Sequence, residues 1–409
     1  MQRGKAFNRV LDFYLGIPLL NLLASFRRPR TFPECPSRIG LLVNPALGDT
    51  LLASAAAQDI RCIFPAAKLI LFATSSNVAA AELLPAIDAI EIFPITRPFE
   101  SIRILRRSKL DLMLDLTSWQ RLTAIYSLLS GARFALGFER AKQFRHRGYD
   151  KTVPHVGDCH ELENHRRLTR SLGSKTSLAP RLIVPGGPLP KAVQQGRQIV
   201  AFHAWASGPR GWMREWPDEC WADLARQLMV PGRVFLLTGS PAEEARCVAL
   251  FNRLVAQGTA AEVLIGREGI EEIARVLTHA EMLVSVNTSI MHLGAILGVP
   301  TVSLNGPTAV HRWGPAGPRV ANVCPPDGSG GFLDLGFEYG GRSTSEMGKI
   351  RVSDVMCAIE GLFGTPRGPG IDASRQNAQE PTGSRVAMVN GRRARVPVLQ
   401  TGNRSAESQ

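Results

Sequence analysis

Residues 283–307 read LVSVNTSIMHLGAILGVPTVSLNGP, a stretch with a strand, a helix and a second strand in close succession. An apolar run ends at Asn-Thr-Ser (287–289), residue types that accept hydrogen bonds from the free N–H groups at a helix start. Apolar residues then recur at helical spacing until Gly298, where glycine and a nearby proline predict the helix end. The apolar segment 301–304 follows. This order predicts one strand–helix–strand unit of a parallel sheet.

The start of this predicted helix favours an anion. Thr288 and Ser289 stand where free N–H groups and the positive end of the helix dipole point outward, an arrangement that suits phosphate. His292 lies one turn further on and is able to turn toward the same anion. Alternatively, Thr288 and Ser289 only cap the helix and His292 is a core histidine, because caps are commoner than phosphate sites. The spacing alone leaves both interpretations open.

The polar residues of this unit also match a known pattern. Asn287, Thr288, Ser289 and His292, followed by Gly-Pro-Thr at 306–308, resemble the C-terminal signature of the heptosyltransferases, glycosyltransferase family nine. The resemblance implies that this loop and helix hold the pyrophosphate and sugar of a nucleotide-sugar donor. The family usually has Asp where this chain has Asn287. We expect the amide to change which sugar is accepted rather than to disable the enzyme.

Strands alternate with helices twice along the chain, over about 38–134 and again over 198–304. Such alternation predicts an α/β fold with two doubly wound parallel sheets, and the resemblance implies the GT-B architecture, two Rossmann-like domains facing across a cleft. Residues 139–195 look like an interdomain connection with one helix at 161–172. We expect five segments: an N-terminal helix and hinge at 1–36, an acceptor domain at 37–180, a nucleotide-sugar domain at 190–350, a closing helix at 351–363 and a disordered basic tail at 364–409.

The composition restricts the partners. Among 409 residues, 44% are hydrophobic and 20% charged, which is ordinary for a globular protein, whereas the net charge of +13 suits an acidic partner. The arginines carry little aromatic interleaving, so we expect no nucleic acid. Seven cysteines without a C-x-x-C pair predict free thiols in a reducing compartment.

The N-terminal segment 10–26 is mostly apolar and has six basic residues around it. A spanning helix needs roughly 20 apolar residues, and this run is shorter and interrupted by polar residues, glycine and proline. Basic flanks around a short apolar helix favour an anionic membrane interface. We therefore expect a peripheral protein on the inner face of the cytoplasmic membrane; a helix docked on the protein's own surface is the alternative.

Gly48, Asp49 and Thr50 follow the first predicted strand, at the kind of strand end where open α/β sheets bind ligands. They match the Gly-Asp motif of the heptosyltransferases. The resemblance implies that Asp49 is the catalytic carboxylate, with Gly48 and Thr50 on the acceptor side. A sugar hydroxyl is a poor nucleophile near neutral pH and needs such a base to take its proton. The alternative is that Asp49 only caps the following helix.

A second candidate loop follows the strand near 198–204. Arg214, in the segment Arg-Glu-Trp-Pro, matches a family cation, and Ser207 and Gly208 can add donors. A cation is needed because the departing nucleotide diphosphate gains negative charge as the sugar bond breaks.

The turn at Gly239 and Ser240 resembles the family's nucleotide-binding turn. Glu243 or Glu244 is then a candidate to accept the ribose hydroxyls, and position favours Glu244. Acidic residues in a first helical turn also stabilise the helix dipole without any ligand.

No D-x-D pair is present, although many metal-dependent glycosyltransferases hold their ion with one. The histidines 146, 155, 160 and 165 with Cys159 match no common zinc spacing. No G-x-G-x-x-G follows the first strand, which argues against a dehydrogenase. We therefore expect neither a metal nor a cofactor.

Together these patterns favour an inverting, metal-independent glycosyltransferase. By resemblance its donor is a nucleotide sugar, ADP-heptose, and its acceptor a lipopolysaccharide-core or lipid-linked glycan. The alternative is a non-catalytic member of the same fold that binds nucleotide or glycan in the cell envelope. Asn287 favours that alternative, whereas Asp49, Arg214 and His292 oppose it.

Overall fold

The computed structural model describes residues 6–364 except 209, 268, 337, 341 and 343, together with the backbone of 387–389 and 392–394. Residues up to 364 make one compact unit with two six-stranded sheets. We call the first sheet with its helices the N-terminal lobe and the second the C-terminal lobe. Two parallel sheets of this kind confirm the predicted α/β class.

The N-terminal lobe has sheet order β3-β2-β1-β4-β5-β6, with every neighbouring pair parallel. Its elements in chain order are α1 (Ala6–Tyr14), α2 (Gly16–Ser25), β1 (Arg38–Leu42), α3 (Leu47–Ile63), β2 (Lys68–Ala73), α4 (Val78–Glu82), β3 (Ala89–Ile92), α5 (Pro98–Arg107), β4 (Leu112–Asp115), α6 (Arg121–Leu129), β5 (Phe134–Glu139), a 3₁₀ turn (Arg145–Gly148), β6 (Lys151–Pro154) and α7 (Glu161–Arg170).

The C-terminal lobe has sheet order β12-β11-β10-β7-β8-β9, also parallel throughout. Its elements are α8 (Lys191–Gln194), β7 (Gln198–His203), a 3₁₀ turn (Gly211–Arg214), α9 (Asp218–Gln227), β8 (Arg233–Gly239), a 3₁₀ turn (Pro241–Glu243), α10 (Glu244–Ala256), β9 (Ala261–Ile265), α11 (Ile270–Leu277), β10 (Met282–Val286), α12 (Ser289–Ile296), β11 (Thr301–Leu304), α13 (Val310–Trp313), β12 (Val320–Val323), a 3₁₀ turn (Glu346–Lys349) and α14 (Val352–Phe363).

Each sheet is covered by helices on both faces, because its central strands are apolar on both sides. In β1, Leu41 and Leu42 are each 1% exposed and belong to different apolar clusters, one on each face of the sheet. A further cluster joins the lobes: Leu51 of α3 packs with Ile290 and Leu293 of α12. Apolar packing therefore holds the two lobes together at the starts of α3 and α12.

Three elements differ from the sequence prediction. Helix α3 begins at Leu47, so the Gly-Asp-Thr motif lies in its first turn rather than in the loop between the strand and the helix. The segment expected to be a connection instead supplies β6 and α7 to the N-terminal lobe. Strand β12 was not predicted; it is a short edge strand, and two of its four residues are polar or small.

The N-terminal segment forms two short helices, α1 and α2, that pack on the N-terminal lobe. Leu20 is fully buried in the cluster beneath α6, and Asp12 forms a 2.8 Å ion pair with the buried Arg121. Asp12 also accepts hydrogen bonds from the backbone N–H groups of Arg121 and Leu122 at the start of α6. One face of this segment therefore packs on the protein's own surface, as the alternative interpretation expected.

No helix among the described residues is long and apolar enough to cross a membrane. The expected disordered tail lies almost entirely outside the described residues. Within it, Ala387–Val389 (β13) and Arg392–Ala394 (β14) pair as antiparallel strands.

Candidate functional site

The two lobes meet where two helices begin. Helix α3 starts after β1, and α12 starts after β10, a central strand of the other sheet. A Cβ atom on Gly48 would lie 3.2 Å from Cδ2 of His292 and 3.7 Å from the Cα of Ser289. Glycine at position 48 thus allows the first turns of the two helices to touch.

A cavity of about 430 Å³ opens beside this contact. Both lobes line it, and its size suits a small ligand. Nine of the candidate site residues from the sequence lie on its walls: Gly48, Asp49, Ser207, Gly208, Arg214, Asn287, Thr288, Ser289 and His292. Loops at the carboxyl ends of β1, β7 and β10 therefore converge as expected for open α/β sheets.

Asp49 lies in the first turn of α3 and is 7% exposed. Its Oδ1 accepts a hydrogen bond of 3.0 Å from Nδ2 of Asn44, at the end of β1. Ala46 occupies the N-cap position of α3. Asp49 is therefore not the N-cap residue of α3; it is an acidic residue of the first turn and lines the cavity from the N-terminal lobe.

Thr50, by contrast, is fully buried and does not line the cavity. Its hydroxyl donates to the carbonyl of Ala46 (2.9 Å) and accepts from Nδ2 of Asn77 (2.8 Å). Its observed contacts hold the first turn of α3 against α4, so the predicted acceptor-side role has no structural support at this residue.

Three buried polar atoms of cavity-lining residues in the C-terminal lobe have no hydrogen-bond partner among the described residues: Oγ1 of Thr288, Nδ1 of His292 and Nε of Arg214. Thr288 is the N-cap residue of α12, yet its side chain makes no cap hydrogen bond. Buried polar groups in proteins normally have partners. Capping of α12 therefore does not account for the hydroxyl of Thr288.

Burial lowers the pKa of His292 to about 3, and the nearby His160 lowers it further in the same direction. His292 is therefore neutral near pH 7 and is able to offer a hydrogen bond but no charge. A positive charge in this wall comes from Arg214, whose Nη2 donates to the backbone carbonyl of Ser207 at 2.5 Å. That hydrogen bond holds the guanidinium of Arg214 against the loop that follows β7, beside the cavity.

Asn287 has a structural reason to be an amide. Its Nδ2 donates to Oδ1 of Asn305 at 2.7 Å and to the backbone carbonyl of Trp313 at 3.0 Å. The carbonyl of Trp313 is an acceptor only, so the amide nitrogen and not the oxygen faces it. A carboxylate in this position would meet two oxygen acceptors.

The predicted nucleotide turn lies away from this cavity. Gly239 and Ser240 do not line it, and Glu243 accepts hydrogen bonds from the N–H and hydroxyl of Ser240, both 2.8 Å. Glu244 forms an exposed ion pair with Arg267. In the observed contacts, this turn is a helix start with a capping box.

The structure adds cavity residues that the sequence analysis missed. Ser76 follows β2, while Trp313, Asp334 and Tyr339 belong to the irregular region around and beyond α13. That region has no periodicity or motif from which its return to the cavity could be inferred. As for metals, the part of the chain that the structure describes contains no group of three or more His, Cys, Asp or Glu residues able to hold an ion.

Comparison with known proteins gives one family. The family model described as glycosyltransferase family 9 (heptosyltransferase) matches residues 100–329, more than half of this chain. Lipopolysaccharide heptosyltransferase 1 of Salmonella typhimurium is 35% identical over 138 residues, 34% of this chain and 39% of that protein. The match thus spans well under two thirds of the length of that curated relative.

Solved structures share the fold. E. coli ADP-heptose lps heptosyltransferase II aligns with a TM-score of 0.63 at 18% identity, over 80% of this chain and 98% of that one. E. coli heptosyltransferase WaaC with ADP aligns with a TM-score of 0.60 at 21% identity, over 80% and 99%. These likenesses, with the two parallel sheets, confirm the predicted GT-B architecture.

Replacing Asn287 by Asp should destabilise the folded protein. The carboxylate would lose two donated hydrogen bonds and leave buried acceptors unpaired, which costs about 1–3 kcal/mol. Urea denaturation at neutral pH measures this change. Asn322→Asp is the matched control, because Asn322 is exposed and uses only its oxygen, which accepts from Asn305. Equal stability of the two variants would contradict the assigned amide geometry.

The depressed pKa of His292 predicts an acid-sensitive fold. A histidine with a lower pKa in the folded state stabilises that state above its unfolded pKa of 6.5, and this contribution is lost as pH falls toward about 3. His292→Gln should reduce the stability loss on acidification by about 1.4 kcal/mol for each pH unit below 6.5. Denaturant midpoints from pH 7 to 5 test this, with the exposed His279→Gln as control. Parallel curves for wild type and His292→Gln would contradict the assignment.

Proposed function

The chain belongs to glycosyltransferase family 9, the heptosyltransferase family, and from that membership we propose that it transfers a sugar from a nucleotide-sugar donor. The proposed donor is ADP-heptose and the proposed acceptor a lipopolysaccharide-core or lipid-linked glycan. The observation that carries the proposal is the shared cavity, where Asp49 of one lobe faces Arg214, Thr288 and His292 of the other.

In this proposal Asp49 is the general base. The acceptor hydroxyl approaches from the N-terminal lobe, gives its proton to the carboxylate and attacks the anomeric carbon. Asn44 holds Oδ1 of the carboxylate, which fixes its orientation before the substrate arrives. The attack comes from the side opposite the nucleotide, so a single displacement inverts the anomeric configuration.

The leaving nucleotide diphosphate is proposed to bind at the start of α12. Free N–H groups and the positive dipole end of that helix attract phosphate. Thr288 and His292 donate uncharged hydrogen bonds, and Arg214 supplies a forked cation as negative charge develops on the departing group. Stabilisation of the leaving group by these residues needs no metal ion in the proposed reaction.

Asp49→Asn should abolish transfer while leaving ADP affinity nearly unchanged. The amide keeps an oxygen for Asn44 but cannot take a proton, and loss of a general base costs on the order of 10²- to 10⁴-fold in rate. Turnover with ADP-heptose and calorimetric ADP binding measure the two effects. The assay is repeated with EDTA, where wild-type turnover should persist.

Glu82→Gln is the matched control, because Glu82 is an exposed carboxylate at the end of α4 in the same lobe. It should behave as wild type. More than a tenth of wild-type turnover in Asp49→Asn would remove Asp49 as the base. Nucleotide binding by a wild type that turns over no donor would favour the non-catalytic alternative.

A peripheral contact with an anionic membrane is the second part of the proposal. Helices α1 and α2 expose eight large apolar side chains, between 44% and 78% exposed: Val10, Leu11, Phe13, Tyr14, Leu15, Leu19, Leu22 and Phe26. Clustered exposed apolar residues mark interaction sites. Short apolar helices with basic neighbours suit the lipid headgroup boundary of a cytoplasmic inner membrane face.

Two of the three basic residues that follow α2 contact the protein itself. Arg27 pairs with Asp150 at 3.2 Å, and Arg30 donates to the carbonyl of Ala132 at 2.8 Å. Arg28 is exposed. Among the described residues, the proposed membrane contact therefore depends on the exposed apolar side chains together with Arg28.

The triple variant Leu15→Gln, Leu22→Gln and Phe26→Gln should bind anionic vesicles at least tenfold more weakly, because burying such side chains contributes about 1.5–3 kcal/mol each. Point changes suit this test better than deletion, since the segment also buries Leu20 and Asp12. The control is Val248→Gln with Val255→Gln, two exposed residues of α10. Sedimentation with phosphatidylglycerol vesicles measures binding; equal binding by both variants would place the membrane contact elsewhere.

A further inference from the structure

Beside the cavity, a buried arginine of the C-terminal lobe reaches the N-terminal lobe. Arg312 in α13 is fully buried, and its Nη2 lies 3.2 Å from Oε2 of the equally buried Glu161, the first residue of α7. Its Nη1 lies 2.7 Å from Oδ1 of Asp334. One guanidinium thus joins a carboxylate of each lobe.

The N-terminal side of this pair is held firmly. Glu161 also faces Nε2 of His155 at 3.1 Å and accepts from Nδ2 of Asn164 at 3.2 Å. Burial raises the pKa of the Glu161 carboxyl, but the hydrogen bond to His155 and the charges of His155 and Arg312 outweigh it and lower the pKa to about 2. Glu161 is therefore ionised at neutral pH and faces Arg312 as an anion.

Two further polar contacts join the same segments. His160 accepts at Nδ1 from the N–H of Leu162 (3.1 Å), so its proton is on Nε2, which donates to the carbonyl of Gly314 in the other lobe at 2.9 Å. Arg140, after β5, lies 3.4 Å from Asp334. The contact between lobes at Arg312 is thus a small network rather than a single pair.

The network is continuous with the cavity wall. Trp313 and Asp334 line the cavity, and the indole N–H of Trp313 donates to the backbone carbonyl of Asp334 at 2.5 Å. The carbonyl of Trp313 accepts the amide of Asn287. Movement of Arg312 therefore shifts the wall that faces the start of α12.

A buried ion pair contributes little net stability, because desolvation of both charges offsets their attraction. It does demand one geometry, since each charge left alone in the interior is costly. Separation of the two lobes would break the pair between Arg312 and Glu161 and expose both charges to water. The pair between Arg312 and Glu161 is therefore better suited to fixing the relative position of the two lobes than to stabilising the folded state.

We propose that Arg312 and Glu161 are positioning residues for sugar transfer. Their ion pair fixes the cavity wall at Trp313 and Asp334, in the C-terminal lobe, relative to the N-terminal lobe that carries Asp49. This inference rests on the proposed function. Neither residue touches the reacting atoms; the pair acts through Trp313 and Asp334 and sets how closely the base approaches the donor.

The test is Glu161→Gln, which keeps the shape of the side chain and removes its charge. Its kcat with ADP-heptose should fall at least tenfold while KM for the donor changes less than threefold. Its radius of gyration in solution scattering should exceed that of wild type without ADP and decrease when ADP is added. Glu163→Gln is the matched control, because Glu163 is on the same helix and pairs with Arg170 near the surface.

Arg312→Lys is the second variant; it keeps the charge but lacks the fork that reaches both carboxylates, so an intermediate loss of kcat is expected. If Glu161→Gln does not fold, Arg312→Lys alone tests the proposal. A wild-type kcat in Arg312→Lys would then overturn the positioning role. Wild-type kcat and radius of gyration in Glu161→Gln would overturn it equally. A wild type without turnover, beside a Glu161→Gln protein that still opens, would overturn the proposed function and leave the lobe contact standing.

Discussion

The contact between the first turns of α3 and α12 is the constraint on which the rest of the site depends. A Cβ atom at position 48 would lie 3.2 Å from the ring of His292, a tight contact that glycine avoids. Around that point Leu51 packs with Ile290 and Leu293, so the lobes are joined by apolar surface next to the polar cavity. Two helix starts thereby face the same space, and the free N–H groups of each add a partial positive charge beside the charged side chains of the cavity.

This arrangement separates the two kinds of chemistry that the proposed reaction needs. A carboxylate beside a diphosphate would be repelled by it, and Asp49 is on the opposite lobe from the start of α12. On the diphosphate side, burial keeps His292 uncharged and Asn287 is an amide held by Asn305 and Trp313. Arg214 is therefore the charged member among the wall residues predicted to bind the donor.

Local patterns predicted the fold well because each strand–helix unit is encoded in adjacent residues. The unit at β10, α12 and β11 follows directly from the apolar run, the polar start and the Gly298 stop. Two short edge strands escaped prediction: β6 contains a proline and β12 is half polar or small. Edge strands bury less surface, so their sequences carry a weaker hydrophobic signal.

Site residues could be predicted from the sequence only where they lie between a predicted strand and the helix that follows it. Gly48, Asp49 and the residues after β10 were found for that reason, whereas Trp313 and Asp334 come from an irregular segment whose path is set by tertiary contacts. The amide of Asn287 donates to Asn305, 18 residues further along the chain. The carboxylate of Glu161 pairs with Arg312, which belongs to the other lobe. Pairings of this kind arise from packing between distant segments. A charged residue in the sequence, if buried, is expected to have a partner of opposite charge. The identity of that partner follows only from the folded structure.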